Sequence, residues 1–399
     1  MSVSGATPAA VFRQSQAVPT AEKRFVDGTH RVCSPEETWR SIQPALAAAG
    51  VTRVADVTGL DHLGIPVFQA VRPASRNLSV SQGKGLTAAA ARVSAAMEAL
   101  ELWHAECLDR LPSVSLSPRE MRHAAEIPLA TLRWSADSSG ARDRLASTPL
   151  EWLPVRALLG GPGGYLPRTM MELDFTPPEP LAPRPFDLTS NGLASGNCRA
   201  EAELHALCEL VERHGVALHG QRRAHGGRSR ALRPASIESP WCRELLARLF
   251  AAGGRVAIFD LTWEAGVPVV LAEVALPDLP FVWRGSGCHP SRDVALSRAL
   301  TEAAQSRLTY IAGARDDLVL LAGAPAEHDA TAGFVVPEGE RGLDEMPDLA
   351  SASVDGDLTA VLARLDDLGL KPFALDLTRS EIGVDVVFCF VPGLLENSH

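Results

Sequence analysis

Apolar residues recur along this chain every three to four positions or every second position, and the switches between the two periods mark its elements. The first helical stretch opens at Ser34-Pro35-Glu36-Glu37, where Ser34 can cap, Pro35 suits the first turn and Glu37 completes a capping box. Trp39, Ile42 and Leu46 form its apolar side, Pro44 predicts a kink or break, and Gly50 ends it. Strands are predicted over about 51–57 and 65–71, with Gly59, Asp61 and Gly64 in the turn between them. Residues 77–82 alternate like a strand and lead into Gly83-Lys84-Gly85, and a helix over about 87–108 carries Val93, Met97 and Leu100 on its core side.

A largely polar stretch with one short helix fills about 114–148, and a strand is predicted over 150–157. Gly160-Gly161-Pro162-Gly163-Gly164 is a turn without the Gly-Lys-Ser/Thr ending of a phosphate-binding P-loop. The proline-rich, extended stretch 177–185 runs into a small, glycine-rich loop, Ser190 to Asn197, whose N–H groups could face an anion. Helices follow over about 199–218 and 241–252, then hairpin strands over 255–262 and 267–275. Gly285-Ser286-Gly287 leads to a helix over about 293–312. After a loose segment over about 323–352 come a helix over 357–368 and strands over 372–377 and 384–391. Strands and helices mix without a clean βαβ alternation, which predicts the α+β class.

One polar pattern interrupts the apolar faces three times. It reads Ala, three residues, Ala, two residues, Glu, two residues, then Glu or Gln: Ala91, Ala95, Glu98, Glu101; Ala202, Ala206, Glu209, Glu212; and Ala295, Ala299, Glu302, Gln305. Steps of four and three put each set on one helical stripe. Small alanines admit another backbone at close range, and each copy follows a glycine-containing loop. A single Glu-x-x-Glu pair is ordinarily solvated surface. Three copies converging on one centre gather five carboxylates, which cost several kcal/mol per buried charge unless compensated. An oxygen-rich cluster suits a hard cation such as Mg²⁺, with a nucleoside triphosphate bridged to it. Arg213, Arg298 and Lys84 lie near the stripes and could balance phosphate charge.

Composition narrows the setting. Of 399 residues, 46% are apolar and 22% charged, as in an ordinary globular protein. A net charge of −10 argues against a nucleic-acid partner. The local run Arg222, Arg223, Arg228, Arg230, Arg233 reads as a solvated face. Seven scattered cysteines without a Cys-x-x-Cys pair predict reduced thiols rather than a disulfide frame or zinc knuckle, and Cys288-His289 lacks the spaced partners of a metal site. No signal-peptide pattern or membrane-length apolar run is present, so a cytoplasmic location without a membrane partner is expected. No Ser-His-Asp or Cys-His triad is visible, and His104, His205 and His214 read as local hydrogen-bonding residues.

The motifs resemble those of the YcaO family. Ser94-Ala95-Ala96-Met97-Glu98-Ala99-Leu100-Glu101 is similar to its first nucleotide-site motif. Asn191-Gly192 through Ala194, Gly196, Asn197, Glu201-Ala202, Ala206, Glu209 and Glu212-Arg213 resemble the second, and Ala295, Arg298-Ala299, Glu302, Gln305 and Arg307 the third. Leu102 departs from the family, which usually has Arg there. The resemblance spans roughly 61–392 and implies a fold of its own that binds ATP and magnesium without a Walker loop. It implies that Glu98, Glu101, Glu209, Glu212 and Glu302 hold magnesium, and that Ser94, Asn197, Glu201, Arg213 and Arg298 contact ATP, with Lys84 and Gln305 as further contacts.

Family members phosphorylate a peptide-backbone amide oxygen, which a nucleophile then displaces. A Cys, Ser or Thr side chain gives an azoline, and external sulfide gives a thioamide. Ser79 to Gly85, with Trp103-His104-Ala105-Glu106, resembles the subgroup paired with TfuA-type proteins, which is associated with thioamides. The C-terminus also lacks the repeated proline ending common in azoline-forming members. The resemblance therefore implies a peptide or protein substrate and a TfuA-like partner delivering sulfur, with a homodimer left open. Cyclodehydration, and a nucleotide-binding accessory role without chemistry, remain the alternatives. No cysteine sits in a relay pair in the sequence, so the chain itself is not expected to carry sulfur. Residues 1–23 read as a tail, 24–74 as an N-terminal α/β segment packed on the core, and 75–399 as the catalytic domain.

Overall fold

A computed structural model describes residues 21–122, 126–135, 142–176, 185–314, 331 and 333–395. Most of the expected tail over 1–23, nearly all of the proline-rich stretch 177–185, the first part of the segment 323–352 and the last four residues lie outside the described residues. In chain order the elements are α1 (Pro35–Ala48), β1 (Arg53–Asp56), β2 (Val67–Val71), β3 (Val80–Lys84), α2 (Ala88–Ala105), β4 (Val114–Leu116), α3 (Pro118–Met121) and α4 (Arg142–Leu145). Next come β5 (Leu150–Ala157), β6 (Gly164–Pro167), β7 (Leu193–Gly196), α5 (Arg199–Ala224), β8 (Arg230–Ala231), α6 (Pro240–Ala251) and β9 (Arg255–Asp260). The chain continues through β10 (Val269–Ala275), β11 (Val282–Cys288), α7 (Arg292–Ala312), α8 (Val354–Asp367), β12 (Phe373–Asp376) and β13 (Asp385–Phe390).

The capping box of α1 forms as its sequence requires: Glu37 N–H donates to Ser34 Oγ and Ser34 N–H to the Glu37 carboxylate. The helix runs through Pro44 to Ala48 rather than breaking. Pro44 lies on the exposed side, where the carbonyl one turn earlier can face water. Helix α5 continues beyond the expected end near 218 to Ala224, so Arg222 and Arg223 of the basic run sit in its last turn. Arg223, Arg228, Arg230 and Arg233 pair with Glu273, Glu340, Asp260 and Glu345, consistent with a solvated, ion-paired face.

Three antiparallel sheets make up the α+β architecture. Their orders are β1-β2-β3, β11-β10-β9-β8, and β4-β5-β12-β13-β7 with β6 against β5. Strands β3, β7 and β11 each end their sheet, and each is followed directly by an acidic helix, α2, α5 or α7. The segments expected as glycine-containing loops are therefore largely edge strands. Glycine is required by close packing: a Cβ on Gly83 would lie 2.0 Å from Ala95 N, and one on Gly285 would lie 2.3 Å from both Ala299 O and Ala303 N. Alanine on the helix and glycine on the strand bring the backbones together, which holds each acidic stripe against a free strand edge.

Around these units lie apolar cores, one filled by Trp152, Phe186, Phe388 and Leu100 between α2 and the largest sheet. Trp152 is fully buried, and its indole N–H donates to the Leu116 carbonyl at 2.8 Å, so the ring enters the core without an orphan donor. No described helix is long and apolar enough to cross a membrane.

Candidate active site

The free edges of the three strands meet the acids of neighbouring helices in a cycle. Ser195 on β7 donates to Glu101 on α2, from its N–H at 2.8 Å and its hydroxyl at 3.1 Å. Ser286 on β11 donates from its hydroxyl to Glu212 on α5 at 2.7 Å. Lys84 on β3 closes the cycle on Glu302 of α7, with Nζ 2.6 Å from Oε2. Further edge N–H groups serve their own unit: Gly192 to Glu209 at 3.0 Å and Ser286 to Glu302 at 3.3 Å. Of the loop N–H groups expected to face an anion, those of Gly192 and Ser195 therefore donate to the protein's own carboxylates.

Burial, reinforced by Glu98 and Glu209, pushes the Glu101 carboxyl well above its ordinary range. Burial likewise raises Glu209, against the pull of Arg213 and the Gly192 N–H. Burial also opposes ionisation of Glu302, but Lys84 and Arg213 outweigh it and hold that carboxyl below its ordinary value. Arg213 stands 3.5 Å from Glu209 and 4.0 Å from Glu212, and these acids with Glu302 keep its guanidinium charged despite desolvation. Lys84 and Arg213 thus neutralise part of the charge, while Glu101 and Glu209 remain costly to ionise. A hard dication would let them ionise, so the donor set fits magnesium. Glu98 lies one turn before Glu101 on the same stripe and is half-buried.

A second group of expected residues lies at the N-terminal end of α5. Asn197 donates to Glu201 from its N–H and its side-chain amide, both at 2.9 Å. Val32 N–H donates to the other Glu201 oxygen at 2.5 Å, and Thr38 donates to the Asn197 side chain at 2.7 Å. The segment around 30–38 therefore forms one wall of a cleft whose lining includes Arg31, Glu201, His205, His289 and Arg298. Ser94 and Gln305 are half-buried on α2 and α7, each one turn from the acid of its own helix, Glu98 or Glu302.

Beside the cleft is His289, which the sequence reading set aside, in a group with His30 and Asp357 whose possible ligand atoms lie within 4.8 Å of one another. Lys23 Nζ, 2.6 Å from Asp357, already supplies the cation there. His289 Nδ1 accepts the Ser291 N–H at 2.9 Å, so its proton sits on Nε2, which is then a donor rather than a metal ligand. Cys208 and Cys288 stand together on the cleft lining, a pairing that the spacing did not reveal. Burial raises the Cys288 thiol well above its usual range, which suits packing rather than sulfur transfer. All seven cysteines are free.

The two serines are the residues that sequence reasoning missed, and His205, read there as a local hydrogen-bonding residue, reaches an arginine on another helix. Arg298 Nη2 donates to His205 Nε2 at 3.1 Å, with the Ser195 backbone beside the ring. The signal lay in spacing, since His205 is four residues from both Glu201 and Glu209. Of the other two histidines, His104 plays the local role expected, donating to Leu100 O, whereas His214 accepts from Leu395 N–H, 181 residues away in the chain. Glu106, in the stretch after the first motif, anchors the turn after β2 by accepting from Arg72 at 2.5 Å, Ser75 at 2.7 Å and Arg76 N–H at 3.0 Å.

Comparison with known proteins shows the family. A family model described as YcaO cyclodehydratase, ATP- and Mg²⁺-binding, matches residues 82–395. Uncharacterized proteins from two Mycobacterium tuberculosis strains are 42% identical over 292 residues, 73% of this chain and 64% of each relative. The chain thus spans just under two thirds of their length. An uncharacterized Rhizobium leguminosarum bv. trifolii protein, named for its place in the tfuA 3′ region, is 38% identical over 296 residues, 72% of this chain and 69% of its own. Among solved structures, YcaO from Methanopyrus kandleri, bound with AMPPCP and Mg²⁺, shares the fold with a TM-score of 0.72 at 24% identity, over 94% of both chains. The chain belongs to the YcaO family, with ATP and Mg²⁺ as its cofactors.

Proposed function

We propose that this protein uses ATP to phosphorylate the oxygen of a peptide-backbone amide and so prepares the carbon for attack by sulfide, giving a thioamide. The observation that carries the reading is the cycle of acids held by three strand edges, in a chain matched by the family's ATP- and Mg²⁺-binding model. An amide is a poor electrophile with a poor leaving group, and phosphoryl transfer to its oxygen remedies both. Sulfide then adds to the carbon and phosphate leaves with the original oxygen, so ATP and sulfide become ADP and phosphate as oxygen is exchanged for sulfur.

Glu98, Glu101, Glu209, Glu212 and Glu302 hold magnesium in this reading. Bound magnesium offsets the negative charge of the transferring group. Ser94, Asn197, Glu201, Arg213 and Arg298 orient ATP, with Lys84 and Gln305 beside them. The peptide is a ribosomally made precursor or a protein, and a TfuA-like partner delivers the sulfur in a cytoplasmic setting. The relative from the tfuA 3′ region supports the thioamide outcome. The cyclodehydratase description of the family model favours azoline formation as the second reading.

A reconstituted reaction of enzyme, partner, peptide, Mg-ATP and sulfide, read by mass, separates the two. Thioamidation adds about 16 Da per event, whereas cyclodehydration loses about 18 Da under the same activation. ATP turnover indifferent to peptide would exclude both.

A further inference from the structure

We propose that His205 is the positioning residue for Arg298. The inference deepens the nucleotide-site reading above, on which the role of Arg298 rests. A guanidinium only donates, so His205 Nε2 must accept at its 3.1 Å contact and the ring proton must sit on Nδ1. The Ser195 backbone lies beside the ring. Residue 195 lies on the outer edge of β7, and its N–H and hydroxyl hold Glu101. Arg298 on α7 and the Ser195–Glu101 pair thus flank the same imidazole.

The arrangement requires a neutral imidazole, because a protonated ring would present a second donor to a cation. Burial, with Arg298, Arg31 and Lys84 nearby, holds His205 well below its ordinary range. Arg298 Nε is buried without a hydrogen-bond partner, so the contact to His205 fixes one nitrogen and leaves another donor free inside the cleft. Orienting a fixed donor fork is where a neighbouring acceptor has most effect on anion binding.

Two measurements on the full chain test this. Histidine ¹⁵N spectra without nucleotide, assigned by His205→Gln, should show His205 as the neutral Nδ1–H form into mildly acid solution, with Nε2 shifted by Arg298→Gln. An Nε2–H form, or no response to Arg298→Gln, overturns the link whether or not ATP binds. Mg-ATP affinity by calorimetry supplies the second. His205→Leu should weaken it roughly 10–100-fold. His205→Gln, which can accept from Arg298, should restore most of the loss. The double variant His205→Leu/Arg298→Gln should bind no worse than Arg298→Gln alone. Additive losses, or equal losses in the Leu and Gln variants, overturn the positioning role. A wild-type protein that fails to bind Mg-ATP would count against the proposed function, while the spectra would still decide the His205–Arg298 link.

Discussion

The Lys84 ammonium lies 2.6 Å from the Glu302 carboxylate, although 218 residues separate them in the chain. The edge strand β3 thereby neutralises an acid on the last of the three acidic helices, a role that bound magnesium would share. Replacing Lys84 with Gln should destabilise the metal-free protein by about 1 kcal/mol, a modest figure because the pair is partly open to solvent. Added Mg²⁺ should then raise the melting temperature more in Lys84→Gln than in the wild type. Identical Mg²⁺-induced shifts would show that the lysine and the metal do not share this acid.

Glu209→Gln and Glu302→Gln keep side-chain shape but remove the charge that a hard cation needs. Each should lower peptide-dependent ATP turnover by at least about 10–100-fold, with melting in Mg²⁺-free buffer close to wild type for Glu209→Gln and no lower than that of Lys84→Gln for Glu302→Gln. Near-normal turnover in either variant would make its acid structural.

His104 is fully buried, and burial lowers its pKa from 6.5 to about 4. Above pH 6.5 both folded and unfolded chains hold it neutral, and its contribution is fully present. Between 6.5 and about 4 the unfolded chain takes up a proton that the folded chain refuses, so stability falls as pH falls. The loss is at most about 3 kcal/mol. His104→Gln can still donate to the Leu100 carbonyl but does not titrate, so its denaturation midpoints should fall less steeply over this window. Parallel slopes for the two proteins would contradict the assignment.

Gly285→Ala forces a Cβ into the backbone of α7, with Ala299 O and Ala303 N each 2.3 Å away. A cost of about 1–3 kcal/mol is expected, read as an earlier denaturation midpoint. Gly59→Ala meets nothing within 4 Å and serves as the control. Equal midpoints would mean that strand and helix can separate without penalty.

The three acidic stripes were legible because a helix converts steps of three and four into a single face, and Glu98, Glu209 and Glu302 kept that spacing. The alanines likewise announced the close packing later seen against Gly83 and Gly285. Edge strands were harder to see: a four-residue strand such as Leu193–Gly196, rich in small residues, looks like a loop until its partner β13 is known. The cycle linking Ser195 to Glu101, Ser286 to Glu212 and Lys84 to Glu302 joins different parts of the chain, which no local period encodes. The cleft wall around Arg31 and Val32 was missed for the same reason, since it exists only once Glu201 and Val32 meet across 169 residues.

Calorimetry of ATP binding, with magnesium and with EDTA, tests the shared centre most directly. Burial and mutual repulsion raise Glu101, and burial raises Glu209, so the carboxylates need a dication before they accept a polyphosphate among them. The account predicts binding in magnesium and none detectable in EDTA. Equal affinity in both solutions would contradict it.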